Sequence, residues 1–366
     1  MRITGQINDG FQSVGGILEQ SVDAGHDLGA SVAVVVGGET VLNIAAGHQD
    51  RAKTLPYTPE TMAPVYSSGK AVCAALIAVA VSEGKLSYDQ TVASLWPAFG
   101  AEGKDQITVA QALSHQAGLS GFTDAFDPKR WLDWEQTTTA IAAAKPLWEP
   151  GTASGYHPQT FGYIAGELLI RTMGKSVGQL IRRVTKDVVC GLSLSEATRV
   201  SPMVKPKRAP DLGAITPIKR AAFLEAWSSP SGVSRQEWAA AEIPASNMHA
   251  TAHGLAEFMQ LFAAGQFADL SISDATRSEA WAERISGEDL VLPYHLSWGA
   301  GVIRENGKIF GAPPTAIGHY GFGGSCVLAD PAIGLSFAYV PNQQSPSLVA
   351  DPRAVELIQA VYKAVA

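Results

Sequence analysis

Pro64-Val65-Tyr66-Ser67-Ser68-Gly69-Lys70 runs directly into Ala71-Val72-Cys73-Ala74-Ala75-Leu76-Ile77-Ala78-Val79-Ala80-Val81, eleven apolar residues that end before Gly84. A membrane-spanning helix needs about 20 such residues, so this run reads as a helix buried inside a globular core. Ser67 then falls at or near its first turn, with Lys70 three residues on and on the same face. The positive end of the helix and its free backbone N–H groups favour a seryl alkoxide and a nearby oxyanion. A lysine lodged against that apolar surface has its ammonium form disfavoured by desolvation, which suits a base or proton shuttle. One turn thus supplies a candidate nucleophile and its proton partner.

The same spacing recurs at Ser82-Glu83-Gly84-Lys85, but at the negative end of the helix, where an alkoxide is opposed. Gly174-Lys175-Ser176-Val177-Gly178 matches the nucleophile elbow G-x-S-x-G, which requires a preceding strand. Phe161, Ile164, Ala165, Leu168 and Leu169 follow a helical period instead, so Ser176 is expected to cap the next helix.

Outward from this segment, residues 30–36 form an apolar, β-branched run that Gly37-Gly38 turns into a second run over 40–46, a hairpin signature. Residues 298–304 and Ile309 flank Asn306-Gly307, a further hairpin signal, and 334–341 supply another strand. A C-terminal helix is expected over 351–366, with Val355, Leu357, Ile358 and Val361 at helical spacing. The middle is helical in character: Thr108-Val109-Ala110-Gln111 is a capping box that opens a short helix expected to stop at Gly118, and residues 160–173 form another helix. Four prolines between Ser201 and Pro217 mark a long solvated loop. The fold class is therefore α+β: an antiparallel sheet flanked by helices and built from both termini, with a mainly helical insertion. The expected division is 1–88 with 245–366 as an α/β domain and 89–244 as a helical domain, the active-site cleft lying between them.

Composition narrows the function. With 366 residues, 46% hydrophobic and 17% charged, the chain can bury a large core, and its net charge of −7 leaves no basic footprint for nucleic acid or an anionic membrane. The expected partner is a small-molecule substrate; nothing in the sequence indicates an oligomeric state. Cys73, Cys190 and Cys326 are widely separated and form neither a disulfide framework nor a zinc site. No H-E-x-x-H motif, carboxylate cluster or phosphate-cradling loop occurs, so no cofactor or metal is expected. The first ten residues lack the apolar core of a secretory signal, which points to the cytoplasm.

Ser67-x-x-Lys70, Leu113-Ser114-His115-Gln116-Ala117-Gly118-Leu119, Trp148-Glu149-Pro150-Gly151, Gly155-Tyr156 and Gly318-His319-Tyr320-Gly321-Phe322-Gly323-Gly324 follow in that order. This ordered set resembles the β-lactamase-like serine hydrolases, and within them looks closest to the family VIII carboxylesterases, relatives of class C β-lactamases and DD-peptidases. The resemblance runs from about residue 15 to 365. It implies the β-lactamase/transpeptidase-like fold and an acyl-enzyme mechanism with Ser67 as nucleophile, Lys70 as its proton partner and Tyr156 as the catalytic tyrosine, its phenol shifted toward phenolate by nearby cations. It places His319, Tyr320 and Gly321 on an edge strand that binds substrate, and pairs the backbone N–H groups of Ser67 and Phe322 as the oxyanion hole.

Two departures from the family pattern bear on substrate. Pro158 stands where the amide-cleaving relatives have the Asn of Tyr-x-Asn, and His319 replaces a lysine, which weakens attraction for a carboxylate. Both favour short-chain neutral esters, with a β-lactamase or peptidase acting on amides as one alternative and a sensor or scaffold that does not turn over as the other. His115 reads as architectural, and His157 as a residue of the loop beside the cleft with no catalytic part. Tyr66, Phe122, Phe126, Trp131 and Trp134 are candidate pocket walls, with packing the competing reading.

Overall fold

The computed structural model describes residues 3–366. A nine-stranded antiparallel sheet runs, in spatial order, Thr4–Ile7, Glu39–Gly47, Gly29–Val36, Leu335–Pro341, Cys326–Asp330, Ile317–Tyr320, Ile303–Arg304, His295–Trp298 and Ile285–Glu288. The first three strands in sequence and the last six meet where Gly29–Val36 pairs with Leu335–Pro341, Val32 opposite Tyr339 and Val34 opposite Phe337. The sheet is thus built from both ends of the chain, as its sequence pattern predicts.

These central strands read as unbroken apolar runs because both faces are covered. Along Gly29–Val36, Val32 and Val34 enter one hydrophobic cluster with Val14, Leu18, Leu357 and Val361 of the helices Gln12–Asp23 and Pro352–Val365. Ala33 and Val35 enter the other, with Leu255 and Met259 of the helix Ala252–Ala263. The period-two alternation of a strand assigns each residue to its side. The helix Gly69–Ser82 is buried along nearly its whole length and packs on the helix Thr160–Met173. Among the described residues no helix is long and apolar enough to cross a membrane.

Three details depart from expectation. Residues 298–304 are two strands rather than one: they turn back at Gly299–Val302, where the Gly299 N–H donates to the Val302 carbonyl and Gly301 takes φ +87°. Asn306-Gly307 therefore lies in the following loop, whose backbone converges on the buried carboxylate of Glu305, the acceptor for the N–H groups of Gly307, Ile309 and Phe310. The helix opened by Thr108 spans only Val109–Leu113; the chain leaves the helical path at His115, held at φ +63°. The three cysteines are free and buried.

The two ends of the chain are clasped by charge as well as by strands. Arg353, at the start of the C-terminal helix, bonds Asp27 Oδ1 at 2.8 Å and Asp351 Oδ2 at 3.0 Å, and both carboxylates are buried. Tyr339 donates to the same Asp27 carboxylate. Removing one partner of such a group leaves the others charged and desolvated. Arg353→Ala is expected to destabilise the fold by about 3–5 kcal/mol, read as a lowered midpoint in urea unfolding with the transition slope unchanged.

Candidate active site

Ser67 sits in the single 3-10 turn Tyr66–Ser68 that feeds the buried helix Gly69–Ser82. Tyr66 adopts φ +47°, a conformation that costs a bulky residue energy and persists only where the surroundings impose it. Its ring is fixed against Trp238 and Phe322, with centroids 6.3 and 6.0 Å away. The two rival serines are accounted for otherwise. Ser82 closes the same helix and accepts from the Ser273 N–H, while Ser176 caps the helix Val177–Arg182 and bonds Glu242.

Lys70 is fully buried, and its Nζ has three neighbours: Pro158 O at 2.8 Å, Ala245 O at 3.1 Å and Ser67 Oγ at 3.1 Å. Burial pushes its pKa well below the usual 10.5, and in the neutral form that burial favours the amine carries two N–H groups and one lone pair. Two carbonyls accept only hydrogen, so they take both N–H groups. The lone pair is left facing the Ser67 hydroxyl, which is the geometry of a general base beside a nucleophile.

Tyr156 is buried with Lys70 Nζ 4.7 Å from its ring centroid, and it lines the same cavity as Ser67. The expectation of a phenolate-like tyrosine is overturned: burial, above all, pushes this phenol well above its usual 10, against an opposing pull from Ser67, with a smaller upward push from Asp289. Burial likewise disfavours the cationic forms of Lys70 and His319 beside it. Tyr156 is a proton donor at rest.

Its backbone is held on both sides. Asp289 Oδ1 accepts the Tyr156 N–H at 2.9 Å together with those of Val291 and Leu292. His115 accepts the Gly155 N–H on its carbonyl and the His157 N–H on Nδ1, and its ring packs 4.9 Å from that of Tyr156. His115 is architectural, as its place in the motif implies. His157 is a second brace rather than a loop-surface residue: it is fully buried, bonding Gly155 O through Nδ1 and accepting the Leu119 N–H on Nε2. Asp289 carried no sequence signal beyond an acidic residue after a strand.

The strand Ile317–Tyr320 brings the remaining residues to Ser67; it is not the edge strand expected but an interior one, paired with Ile303–Arg304 on one side and Cys326–Asp330 on the other. Ser325 Oγ donates to Val65 O at 2.7 Å and lies 3.0 Å from Ser68 Oγ, stitching the turn after this strand to the nucleophile turn. Gly321 permits the approach, because a Cβ there would stand 2.2 Å from Val65 O and 2.1 Å from Ser325 Oγ. Among the described residues neither the Ser67 nor the Phe322 N–H has an acceptor, so both are free to donate to an oxyanion. Arg353 and the Ser345 N–H both bond Gly323 O, fixing the turn from behind. His319 faces the cleft as a neutral ring, its pKa pushed down to about 3 by burial and by Lys70. Tyr320 borders the cleft, but its hydroxyl is spent on Ile309 O and its ring stacks on Phe310.

The cavity over Ser67 measures about 1030 Å³. Tyr66, Trp238, Leu292, Phe223 and Leu212 are among its apolar walls. The segment expected to be merely solvated forms much of its roof: Met203, Lys205 and residues 209–213 border it. Of the five aromatics proposed as walls only Tyr66 borders the cavity. Phe122, Phe126 and Trp131 pack on one another and brace the roof, through Trp131 Nε1–H to Trp227 O and Trp227 Nε1–H to Phe122 O. Trp134 bonds Glu167. Among the described residues no cluster of metal-ligating side chains occurs.

Comparison with known proteins agrees with this geometry. A family model described as Beta-lactamase matches residues 15–360. Over 347 residues, 88% of this chain and 78% of the relative, the sequence is 31% identical to "Esterase/beta-lactamase LipL" of Mycobacterium tuberculosis. A penicillin-binding protein homologue from Caulobacter crescentus superposes over the whole of both chains with TM-score 0.95 and 46% identity. A family VIII carboxylesterase does so with TM-score 0.92 and 32% identity.

A base must be neutral to accept a proton, so activity that depends on Lys70 is present above its folded-state pKa and lost as pH falls through it. With that pKa well below 10.5, the acid limb of the kcat/KM profile is expected well below the ordinary lysine range. Lys70→Arg, permanently charged, is expected to lose roughly 100- to 10,000-fold in kcat/KM at every pH, with no recovery in alkali; recovery at high pH contradicts the assignment.

Proposed function

This chain belongs to the beta-lactamase family, and we propose that within it the protein hydrolyses short-chain carboxylic esters through an acyl-enzyme on Ser67. The observation that carries this reading is the placement of the buried Lys70 Nζ against two carbonyls and the Ser67 Oγ, so that the neutral amine favoured by burial keeps its lone pair for the Ser67 hydroxyl. Lys70 takes the Ser67 proton as Oγ attacks the ester carbonyl. The Ser67 and Phe322 N–H groups hold the tetrahedral oxyanion. Tyr156 gives its phenolic proton to the departing alcohol and is reprotonated from Lys70. Water repeats the sequence against the acyl-enzyme, releasing the acid and restoring Ser67.

The preference for neutral esters rests on what borders the cleft. A substrate carboxylate of the kind carried by β-lactams and peptidoglycan termini calls for a cation, and the strand Ile317–Tyr320 offers the neutral ring of His319. Pro158 turns its carbonyl to Lys70 and has no side-chain amide to pair with a peptide-like substrate. The apolar walls of the cavity suit an uncharged substrate.

A second reading, hydrolysis of cyclic or peptide amides, is favoured by two relatives, a penicillin-binding protein homologue and an esterase/beta-lactamase. The two readings separate in one assay. p-Nitrophenyl esters of rising acyl length are expected to turn over with wild type and not with Ser67→Ala, while a cephalosporin is hydrolysed poorly. Efficient cephalosporin turnover without esterase activity would establish the second reading, and a single burst without turnover would indicate a sensor.

A further inference from the structure

His319 is 2% exposed, borders the same cavity as Ser67 and Tyr156, and lies with its ring centroid 5.9 Å from that of Tyr156. Its Nδ1 is 2.7 Å from Tyr320 O. A carbonyl only accepts, so Nδ1 carries the hydrogen and Nε2 carries the lone pair. Nε2 is buried and has no partner among the described residues. With its pKa pushed down to about 3, the ring stays an acceptor and does not become a donor at neutral pH.

An acceptor in this place distinguishes the molecules that pass through it. The alkoxy oxygen of an ester has no hydrogen to offer. Water attacking the acyl-enzyme has two: one leaves toward the Lys70 and Tyr156 pair, and the other remains on the attacking oxygen. An alcohol attacking the same carbonyl gives its only O–H to the base and presents carbon where water presents hydrogen. Resting on the esterase reading above, we propose that His319 Nε2 accepts the second O–H of the deacylating water, which makes His319 a catalytic residue of hydrolysis and biases the acyl-enzyme toward water over alcohols.

The step balances without a further reactant. With water, a C–O bond forms to the acyl carbon, one proton moves to the base pair, the acyl–Oγ bond breaks and that proton returns to Ser67 as the acid leaves. With methanol the same bonds form and break and a methyl ester leaves. Only the water path contains the hydrogen bond to His319. A hydrogen bond formed only on that path changes the ratio of the two rates by about tenfold.

The test is product partition from one acyl-enzyme. Wild type, His319→Leu and His319→Gln are given a p-nitrophenyl ester in buffer containing methanol, and acid and methyl ester are quantified, with circular dichroism confirming the fold of each variant. In His319→Leu the ratio of methyl ester to acid, which is set after acylation, is expected to rise about tenfold. In His319→Gln, whose amide oxygen can accept the same bond, the ratio is expected to return toward the wild-type value. An unchanged ratio in His319→Leu overturns the proposal while leaving the esterase intact. Absence of any ester turnover by wild type overturns the esterase reading and this proposal with it.

Discussion

Everything at this site depends on keeping one amine dry. Placing Lys70 in the apolar helix Gly69–Ser82, at the level where the carbonyls of Pro158 and Ala245 converge, removes the solvent that would hold it as an ammonium. The carbonyls then orient what is left. A less buried lysine would carry a third N–H pointing at Ser67 and would compete for the oxygen it is meant to activate. The fold supplies the dryness by packing that helix between the sheet and the helix Thr160–Met173, and the two carbonyls come from segments far apart in sequence.

The same logic of fixed partners extends around the cleft. Tyr156 is set by Asp289 on one side and by His115 and His157 on the other, while the turn carrying Phe322 is pinned in front by Ser325 and behind by Arg353. Arg353 belongs to the clasp that joins the two ends of the chain through Asp27. One guanidinium therefore contributes both to the clasp between the two ends of the chain and to fixing the turn that carries the free Phe322 N–H. Such prepositioned donors stabilise developing charge because they need no reorganisation when it appears.

The sheet, the buried helix and the Ser67, Lys70 pairing were legible because each has a local signature: an unbroken apolar run, a two-residue glycine turn, an N-terminal turn before an apolar helix. Thr160–Met173 was legible for the same reason. What escaped was decided by contacts distant in sequence. Asn306-Gly307 has the chemistry of a hairpin turn, but the Glu305 carboxylate gathered its backbone into a loop and Gly299–Val302 made the turn instead. The resemblance implied a Tyr156 phenol shifted toward phenolate by nearby cations, whereas its burial raises the phenol pKa instead. Residues 201–217 looked solvated because of their prolines and basic residues; that Met203, Lys205 and residues 209–213 border a cavity follows only from where the strands bring them.

The central claim is the neutral Lys70, and it is read most directly from the protein labelled with carbon-13 at the lysine ε position and followed by NMR through a pH titration, with Lys70→Met used to assign the resonance. The account predicts an ε-carbon shift typical of a free amine at neutral pH, titrating well below 10.5. A Lys70 resonance that remains that of an ammonium up to the ordinary lysine range would contradict it.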